Sequence, residues 1–287
     1  MRDNQDITII ITSFNDYRIL DLIETLLLLS PKEILVADGG SDADLTSKIM
    51  KHNSEVVKFY NLPGNVAETR FQAQSLPSGN ITVFIDTDEQ YLDNWLEEIT
   101  KPIRISDADF TFGSTIPMKP AENRFSRYQD KFDLYFYKEI LPNDVSKGPM
   151  GNSAWKTEII KKIGFDPCLG MGGEDYDLTI RAMRAGYRGK YVKSAVLKHN
   201  QNSVNTFRKF IMKRFHYQLG AALAYRKNGS LGKKSITDSV KTGSKFKDPI
   251  EIIVFITKIF AFIGSLVINP WEDSRYCNKK LTSYSKN

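Results

Sequence analysis

An apolar segment at residues 81–85 leads directly into Asp86 and Asp88, and this feature constrains the fold of the chain most strongly. A continuous apolar run of this length predicts a strand that is buried on both faces. Ligands of open α/β sheets bind where such strands end. Because side chains at i and i+2 point to the same side of an extended backbone, the two carboxylates can share one hard cation, and that cation can hold a diphosphate. A solvated turn rich in aspartate is the open alternative.

Strands and helices alternate along the first 200 residues. The segments 7–12, 33–37 and 58–61 are short and apolar and predict strands, and the segments between them have the apolar spacing of helices. This alternation predicts an α/β fold with a mixed, mainly parallel sheet flanked by helices. No GxGxxG sequence follows the first strand, so a dinucleotide-binding domain of the Rossmann type would lack its phosphate loop.

The positive charge of the chain lies in its C-terminal third. The formal net charge is +6, but residues 1–200 carry 24 Lys and Arg against 29 Asp and Glu, whereas residues 201–248 carry 11 against 2. A basic appendage on an acidic globular part predicts an anionic partner surface, either lipid headgroups or nucleic acid. Cys168 and Cys277 lie far apart and provide neither a metal pattern nor a disulfide framework, which predicts a reducing compartment. The polar N-terminus predicts no signal peptide.

Four short motifs occur in an order that resembles glycosyltransferase family 2, a family of inverting enzymes with the GT-A fold. The motifs are Thr12-Ser13-Phe14-Asn15, Asp38-Gly39-Gly40-Ser41-Asp42, Arg70 and the DxD motif Asp86-Thr87-Asp88. The resemblance covers about residues 7–200. It implies a Rossmann-like GT-A sheet, a nucleotide-diphosphate sugar as donor, UDP- or GDP-linked, and Mg²⁺ or Mn²⁺ as cofactor.

The resemblance also implies a role for each motif residue. It assigns to the nucleotide sugar Thr12, Phe14, Asn15, Asp38, Arg70, Asp86 and Thr87, and to the metal Asp88, Asp86 and His199. In this assignment Asp38 hydrogen-bonds the base and Arg70 approaches the diphosphate. A diphosphate leaving group gains charge as the glycosidic bond breaks, so a cation and a guanidinium suit it. A core position for Phe14 and a structural role for His199 are the alternatives, and Glu89 departs from the Asp that the family often has.

The candidate general base lies in the glycine-rich segment 170–178. Gly172 and Gly173 precede Glu174 and Asp175, which open a helix. By the resemblance, Asp175 takes the proton of the acceptor hydroxyl as that oxygen attacks the anomeric carbon, and Glu174 is the reserve. Acidic residues also favour the first turn of any helix because of its dipole. The glycines favour the functional interpretation, since a cap alone would not need so open an approach.

The C-terminal third combines basic and apolar segments. Residues 206–225 predict a basic helix, residues 226–248 a flexible basic linker, and residues 250–268 an apolar helix of roughly 28 Å. Glu251, Lys258 and Ser265 would form one narrow polar stripe on the apolar helix. This stripe favours a helix lying in the membrane plane over one that spans it, and a helix covering the catalytic domain is the third option. Trp271 and Tyr276 are candidate interfacial anchors.

These observations predict three units, which are a nucleotide-sugar-binding half at 1–105, an acceptor-binding half at 106–200 and a basic extension at 201–287 with a membrane-associated helix at 250–268. We expect an inverting, hexosyltransferase-like enzyme at the cytoplasmic face of the cell membrane, with a lipid-linked or cell-surface glycan acceptor. A sugar nucleotidyltransferase is one alternative, although its glycine-rich basic loop is missing after the first strand. A nucleic-acid-binding protein is the other, although the aromatic residues of the basic segment have helical core spacing. We therefore expect no nucleic acid partner.

Overall fold

The computed structural model of the chain describes residues 4–170, 172–229 and 249–268. The strands are β1 (Asn4–Ser13), β2 (Pro31–Asp38), β3 (Val57–Asn61), β4 (Ile81–Asp86), β5 (Glu89–Tyr91), β6 (Phe110–Pro117), β7 (Asn152–Lys156) and β8 (Gly189–His199). The helices are α1 (Ile19–Leu27), α2 (Ala43–Met50), α3 (Val66–Ala73), α4 (Trp95–Arg104), α5 (Arg124–Tyr135), α6 (Thr157–Ile163), α7 (Glu174–Arg184), α8 (Phe207–Lys227) and α9 (Pro249–Val267).

All eight strands form one mixed sheet in the order β3-β2-β1-β4-β7-β6-β8-β5. The pairs β1/β2, β1/β4, β2/β3 and β6/β8 are parallel, and β7 is antiparallel to both β4 and β6. The predicted α/β fold with a mixed, mainly parallel sheet is confirmed. Because β1, β2 and β4 run in the same direction, their carboxyl ends meet at one edge of the sheet.

The core consists of two apolar layers, one on each face of the sheet. Along β1 the side chains alternate, so that Ile9 and Ile11 belong to the layer under α1, α2 and α4, whereas Ile10 belongs to the layer under α3, α6 and α7. All three isoleucines are at most 1% exposed. Strands buried on both faces are the reason why the sequence of β1 is a continuous apolar run.

Helix α8 packs directly on α7 and on the loop that precedes it. A Cβ atom on Gly220 would lie 2.2 Å from the carbonyl oxygen of Gly172, in the loop before α7, so only glycine permits this approach. Tyr225 of α8 contacts the ring of Tyr176 of α7 at 6.0 Å between centroids. The neighbouring helix α5 buries Phe125 against Phe210 of α8, whereas Tyr135 of α5 is 50% exposed.

Helix α9 lies on α8 and has one buried and one exposed side. Val254 and Ala261 are buried, and Ser265 is buried with them, so this member of the predicted polar stripe faces protein, while Lys258 is exposed. Among the described residues this is the one helix long and apolar enough to cross a membrane, by length and composition, with a mean hydropathy of 2.2. Only 28% of its apolar window is buried, which distinguishes it from a core helix.

One prediction from spacing is wrong, and others lie outside the described residues. Cys168 is disulfide-bonded, although the separation of the cysteines predicted no disulfide. Separation along the chain sets no lower limit on distance in space, which is why the spacing argument failed. Cys277, the linker at 230–248 and the tail with Trp271 and Tyr276 lie outside the described residues.

Candidate active site

Two loops at the carboxyl ends of β1 and β2 are tied together by side-chain hydrogen bonds. The backbone amide of Asn15 donates to Oγ of Ser41, and the backbone amide of Asp42 donates to the side-chain Oδ1 of Asn15, each at 2.8 Å. Asn15 adopts a left-handed conformation with φ of 49°, which asparagine tolerates better than most residues. The predicted nucleotide-binding residue Asn15 therefore holds the shape of the rim of the site.

Asp38 is fully buried and is hydrogen-bonded to the loop that follows it. Its carboxylate accepts hydrogen bonds from the amides of Gly40 and Ser41, at 3.1 and 2.8 Å, and from Oγ of Ser41 at 2.5 Å. At 0% exposure the side chain does not reach the cleft. The predicted hydrogen bond from Asp38 to a base would require this loop to release the carboxylate.

Thr12 and Phe14 have different positions at the end of β1. The hydroxyl of Thr12 is buried and has no hydrogen-bond partner within the described part of the chain, and the register places Thr12 beside Asp86. Buried hydroxyls are usually paired, so an unpaired one next to a strand end indicates a place for a bound molecule. Phe14 is 62% exposed, so the alternative that it belongs to the core is wrong.

The DxD motif is held from both sides. Oγ1 of Thr87 donates to Asp16 at 2.5 Å, and Asp88 Oδ2 lies 3.0 Å from Nε2 of His199. The short strand β5, which the sequence did not reveal, pairs antiparallel with β8 and places Glu89 opposite His199. Burial alone would raise the pKa of Asp88, but the contact with His199 and the charge of Arg18 hold this pKa below its ordinary value.

The donor set suits a divalent cation that is shared with a diphosphate. In the described part of the chain no three His, Cys, Asp or Glu side chains converge as a metal cluster, because Asp86 is turned toward Arg70. Asp88 and His199 are nevertheless adjacent, and a carboxylate with an imidazole is a donor pair that suits Mn²⁺. Mg²⁺ sites commonly use one or two carboxylates and complete their coordination with substrate phosphates. The predicted set of Asp86, Asp88 and His199 therefore fits as a partial site.

Gly151 allows the close packing behind the motif. A Cβ atom on this residue would lie 2.4 Å from Oδ2 of Asp86 and 3.1 Å from Oε2 of Glu89. Glu89 in turn accepts a hydrogen bond from the amide of Asp86 at 3.0 Å. The glycine-bearing loop before β7 was a signal in the sequence for a close contact. Spacing could not identify the partner of Gly151, because Asp86 lies 65 positions earlier.

Arg70 connects the DxD motif to the candidate base. Its guanidinium lies 3.1 Å from Asp86 and 2.7 Å from Glu174, and the side chains of Arg70 and Glu174 are both 6% exposed. Nε of Arg70 is buried without a partner among the described residues, so it keeps one donor for a ligand. Glu174, the reserve base, is committed to this ion pair.

Asp175 has the properties expected of a general base. Burial and the charge of Glu174 raise its pKa to about 7, against the opposite effect of Arg70. A carboxylate with this pKa is a better proton acceptor near neutral pH than an ordinary aspartate. Among the predicted site residues, Asp175 is therefore the one whose environment most strongly favours proton transfer.

Gly172 and Gly173 have a structural explanation that the sequence did not provide. Both have positive φ, 101° and 88°, and Gly220 of α8 packs against them. The interpretation that these glycines leave an open approach to substrate is wrong, because a helix occupies that space. Their role is to bring α8 beside the first turn of α7.

Helix α8 brings charged and aromatic residues near the DxD motif, which sequence reasoning missed. The charge of Lys213 lowers the pKa of Asp88, and its Nζ lies 5.6 Å from the ring centroid of Tyr217. Tyr217 is 54% exposed, and partial burial of its phenol together with the charges of Asp88 and Asp86 raises the pKa of this group. The predicted basic helix is thus part of the site.

Solved structures with this fold include several sugar transferases. A mannosyltransferase from Pyrobaculum calidifontis, solved in complex with GDP-Man and Mn²⁺, has a TM-score of 0.59 at 15% identity over 96% of this chain and 79% of that one. Glucosyl-3-phosphoglycerate synthase from Mycobacterium tuberculosis, in complex with phosphoglyceric acid, has a TM-score of 0.53 at 18% identity over 79% and 81%. Mannosyl-3-phosphoglycerate synthase from Rubrobacter xylanophilus has a TM-score of 0.53 at 14% identity over 80% and 77%. These similarities establish the fold.

No curated protein matches the chain. The sequence profile of glycosyl transferase family 2 matches residues 8–164, a span that begins in β1 and ends just after α6. This span contains all four motifs and more than half of the 287 residues. The chain belongs to glycosyl transferase family 2.

Proposed function

We propose that the protein transfers a sugar, with inversion, from a UDP- or GDP-linked donor to a hydroxyl or phosphate of an acceptor. One observation carries this proposal, the continuous ion network that joins Asp86 to Glu174 through Arg70 and ends beside Asp175. A donor held at the DxD motif and a base on α7 are the two parts that a single displacement needs. The network fixes their relative positions through a buried guanidinium.

In this proposal each group acts on a stated part of the reaction. Thr12 and Phe14 line the nucleotide end, and Asp88 with His199 would hold Mg²⁺ or Mn²⁺. The cation, when bound, offsets the charge that develops on the leaving diphosphate. The free Nε of Arg70 donates to the same diphosphate. Asp175 accepts the acceptor proton as the acceptor oxygen attacks the anomeric carbon.

Ligand-dependent unfolding of the full chain tests the donor site. We expect either UDP or GDP, with Mn²⁺, to stabilise the wild type by about 2.7 kcal/mol at 100 times its dissociation constant. Asp88→Ala should lose this metal-dependent stabilisation, because it removes the carboxylate paired with His199. Asp107→Ala, at an exposed aspartate paired with Lys190 at the other end of the sheet, is the matched control and should respond as the wild type does.

The proposal of a donor site at the DxD motif fails if neither nucleotide stabilises the wild type, or if Asp88→Ala responds unchanged. Stabilisation by a nucleoside triphosphate, with pyrophosphate released in the presence of a sugar phosphate, would instead favour a sugar nucleotidyltransferase.

We further propose that α9 attaches the enzyme to a membrane, where it meets a lipid-linked or cell-surface glycan acceptor. The exposed side of α9 carries Lys258 and is otherwise mostly apolar, with Ile252, Ile256, Ile259, Phe260, Ile263 and Leu266. Its buried side packs on the basic helix α8, which carries exposed cations at Arg208 and Lys209. An apolar face beside cations is typical of a helix that lies in an anionic membrane surface.

Vesicle sedimentation tests this attachment. We expect the wild type to bind vesicles that contain phosphatidylglycerol, and the double change Ile256→Ser and Phe260→Ser to weaken binding about tenfold or more, because two apolar side chains no longer enter the lipid. Leu28→Ser removes an 80% exposed leucine far from α9 and should have no effect. Equal binding by the double variant and the wild type would show that α9 is not the anchor.

A position at the cytoplasmic face of the membrane is part of the same proposal. The basic α8 supports it, since the cytoplasmic leaflet is the anionic one. The disulfide at Cys168 weighs against a reducing compartment. Thiol labelling in intact cells decides between them, because a labelled Cys168 supports the cytoplasmic face and an unlabelled one contradicts it.

A further inference from the structure

Arg214 of α8 is a buried cation that no carboxylate pairs among the residues that the structure describes. It is 5% exposed, and in the described part of the chain its only hydrogen bond is a long one, 3.4 Å from Nη1 to Oε1 of Gln129. Nε is buried with no hydrogen-bond partner among the described residues. A buried guanidinium with unused donors is costly, because ions and N–H groups lose their hydration on burial.

Aromatic rings surround Arg214 without using its donors. The guanidinium carbon lies 4.2 Å from the ring centroid of Phe132 and 5.9 Å from that of Tyr128, both on α5. Cation–π contacts stabilise the charge over the ring face. They do not satisfy the N–H groups, which point outward in the guanidinium plane. The packing therefore explains how Arg214 is held, and leaves open what its donors bind.

The charge of Arg214 acts on the residue that follows the candidate base. This charge lowers the pKa of the phenol of Tyr176, whose net shift is upward because of burial, and Tyr176 follows Asp175 directly in α7. Lys213, the preceding residue of α8, acts on Asp88 of the donor site. Gln129, the hydrogen-bond partner of Arg214, donates its side-chain amide to Asp133 at 2.8 Å.

We propose that Arg214 binds the anionic group, a phosphate or carboxylate, of the sugar acceptor. This inference rests on the proposed transferase function and names the class of acceptor for the same site. An oxyanion at Arg214 would use the unpaired donors, neutralise the buried charge and place the acceptor next to Asp175. The planar fork of arginine suits an oxyanion with two acceptor atoms.

Calorimetric titration of the full chain with phenyl phosphate tests the inference. The donor site is first saturated with Mn²⁺ and whichever of UDP or GDP binds, so that phenyl phosphate cannot occupy it. We expect Arg214→Met to weaken phenyl phosphate binding about 10- to 100-fold, the loss typical of a charged hydrogen bond. Lys161→Gln removes an exposed charge from α6 and should leave the affinity unchanged.

A readout of unfolding separates a binding role from a structural one. Without phosphate, Arg214→Met should have a Tm equal to or above that of the wild type, since a buried unpaired charge is removed. Phenyl phosphate should raise the Tm of the wild type and not that of Arg214→Met. A lower Tm for Arg214→Met, with equal phosphate response, would assign Arg214 to packing alone. Arg214→Lys keeps the charge and replaces Arg214→Met if the latter does not fold.

The same variants identify the source of the anion and separate the two proposals. If Arg214→Met weakens the binding of phenyl phosphate, the acceptor is a soluble phosphorylated molecule. If it weakens only the binding of phosphatidate vesicles, the acceptor is a lipid phosphate. Equal affinities of wild type and Arg214→Met for both probes overturn the inference. If neither nucleotide binds the wild type, the proposed function fails, and the phosphate titration without nucleotide still tests Arg214.

Discussion

Asp175→Asn should lower kcat by about 10²- to 10⁴-fold while leaving the affinity for the nucleotide unchanged. The amide keeps the size of the side chain but cannot accept the proton of the acceptor hydroxyl. In the proposed site the nucleotide lies at the carboxyl ends of β1 and β4, near Thr12 and Asp88, and not on α7. Steady-state kinetics and nucleotide titration of the same protein measure the two effects separately.

The dependence of the wild-type rate on pH provides a second measurement of this role. Asp175 has a pKa of about 7 because of burial and the charge of Glu174, and it must be ionised to accept a proton. We expect kcat/KM to rise with pH up to about 7 and then to level off, falling about tenfold per unit at lower pH. A rate independent of pH between 5 and 8 would contradict Asp175 as the base.

Unfolding of Asp175→Asn would not explain its expected loss of kcat. The pKa of Asp175 is raised above its ordinary value, so its ionised form disfavours the folded state above pH 7, and Asp175→Asn should be as stable as the wild type or more stable at pH 8. Glu174→Gln is the matched comparison, because it changes the neighbouring acid that Arg70 binds. If Glu174→Gln lost as much kcat as Asp175→Asn with its stability intact, the roles of the two residues would have to be exchanged.

The sequence predicted the part of the site that the sheet alone assembles. Parallel neighbours bring their carboxyl ends to one edge, so apolar runs ending in Thr12, Asp38 and Asp86 were enough to place three motifs together. What each side chain does there was less predictable. The carboxylate of Asp38 accepts its hydrogen bonds from its own loop, because three hydrogen-bond donors lie two or three residues after it.

The remainder of the site depends on contacts between distant segments. Arg70 and Glu174 are 104 positions apart, and no periodicity relates them. The contact of Gly220 with Gly172 also joins two segments whose sequences do not indicate each other. For this reason α8 was predicted as part of an appendage, although it packs on the loop before α7 and carries Lys213 and Arg214.

Arg70→Met should destabilise the protein by about 3–5 kcal/mol, because it leaves two buried or partly buried carboxylates without their shared cation. Arg70 lies 2.7 Å from Glu174 and 3.1 Å from Asp86, and its own side chain is 6% exposed. Denaturant unfolding at pH 8 measures the loss. Lys48→Met breaks an exposed pair with Asp44 and should cost only about 0.5 kcal/mol.

A double variant and the pH profile show whether Arg70 acts through the network. Glu174→Gln combined with Arg70→Met should recover part of the lost stability, because the uncompensated carboxylate of Glu174 is gone. The charge of Arg70 also lowers the pKa of Asp175, so Arg70→Met, which removes this charge, should move the acidic limb of kcat/KM to higher pH. Additive stability changes together with an unmoved pH limb would mean that Arg70 does not couple the DxD motif to the base.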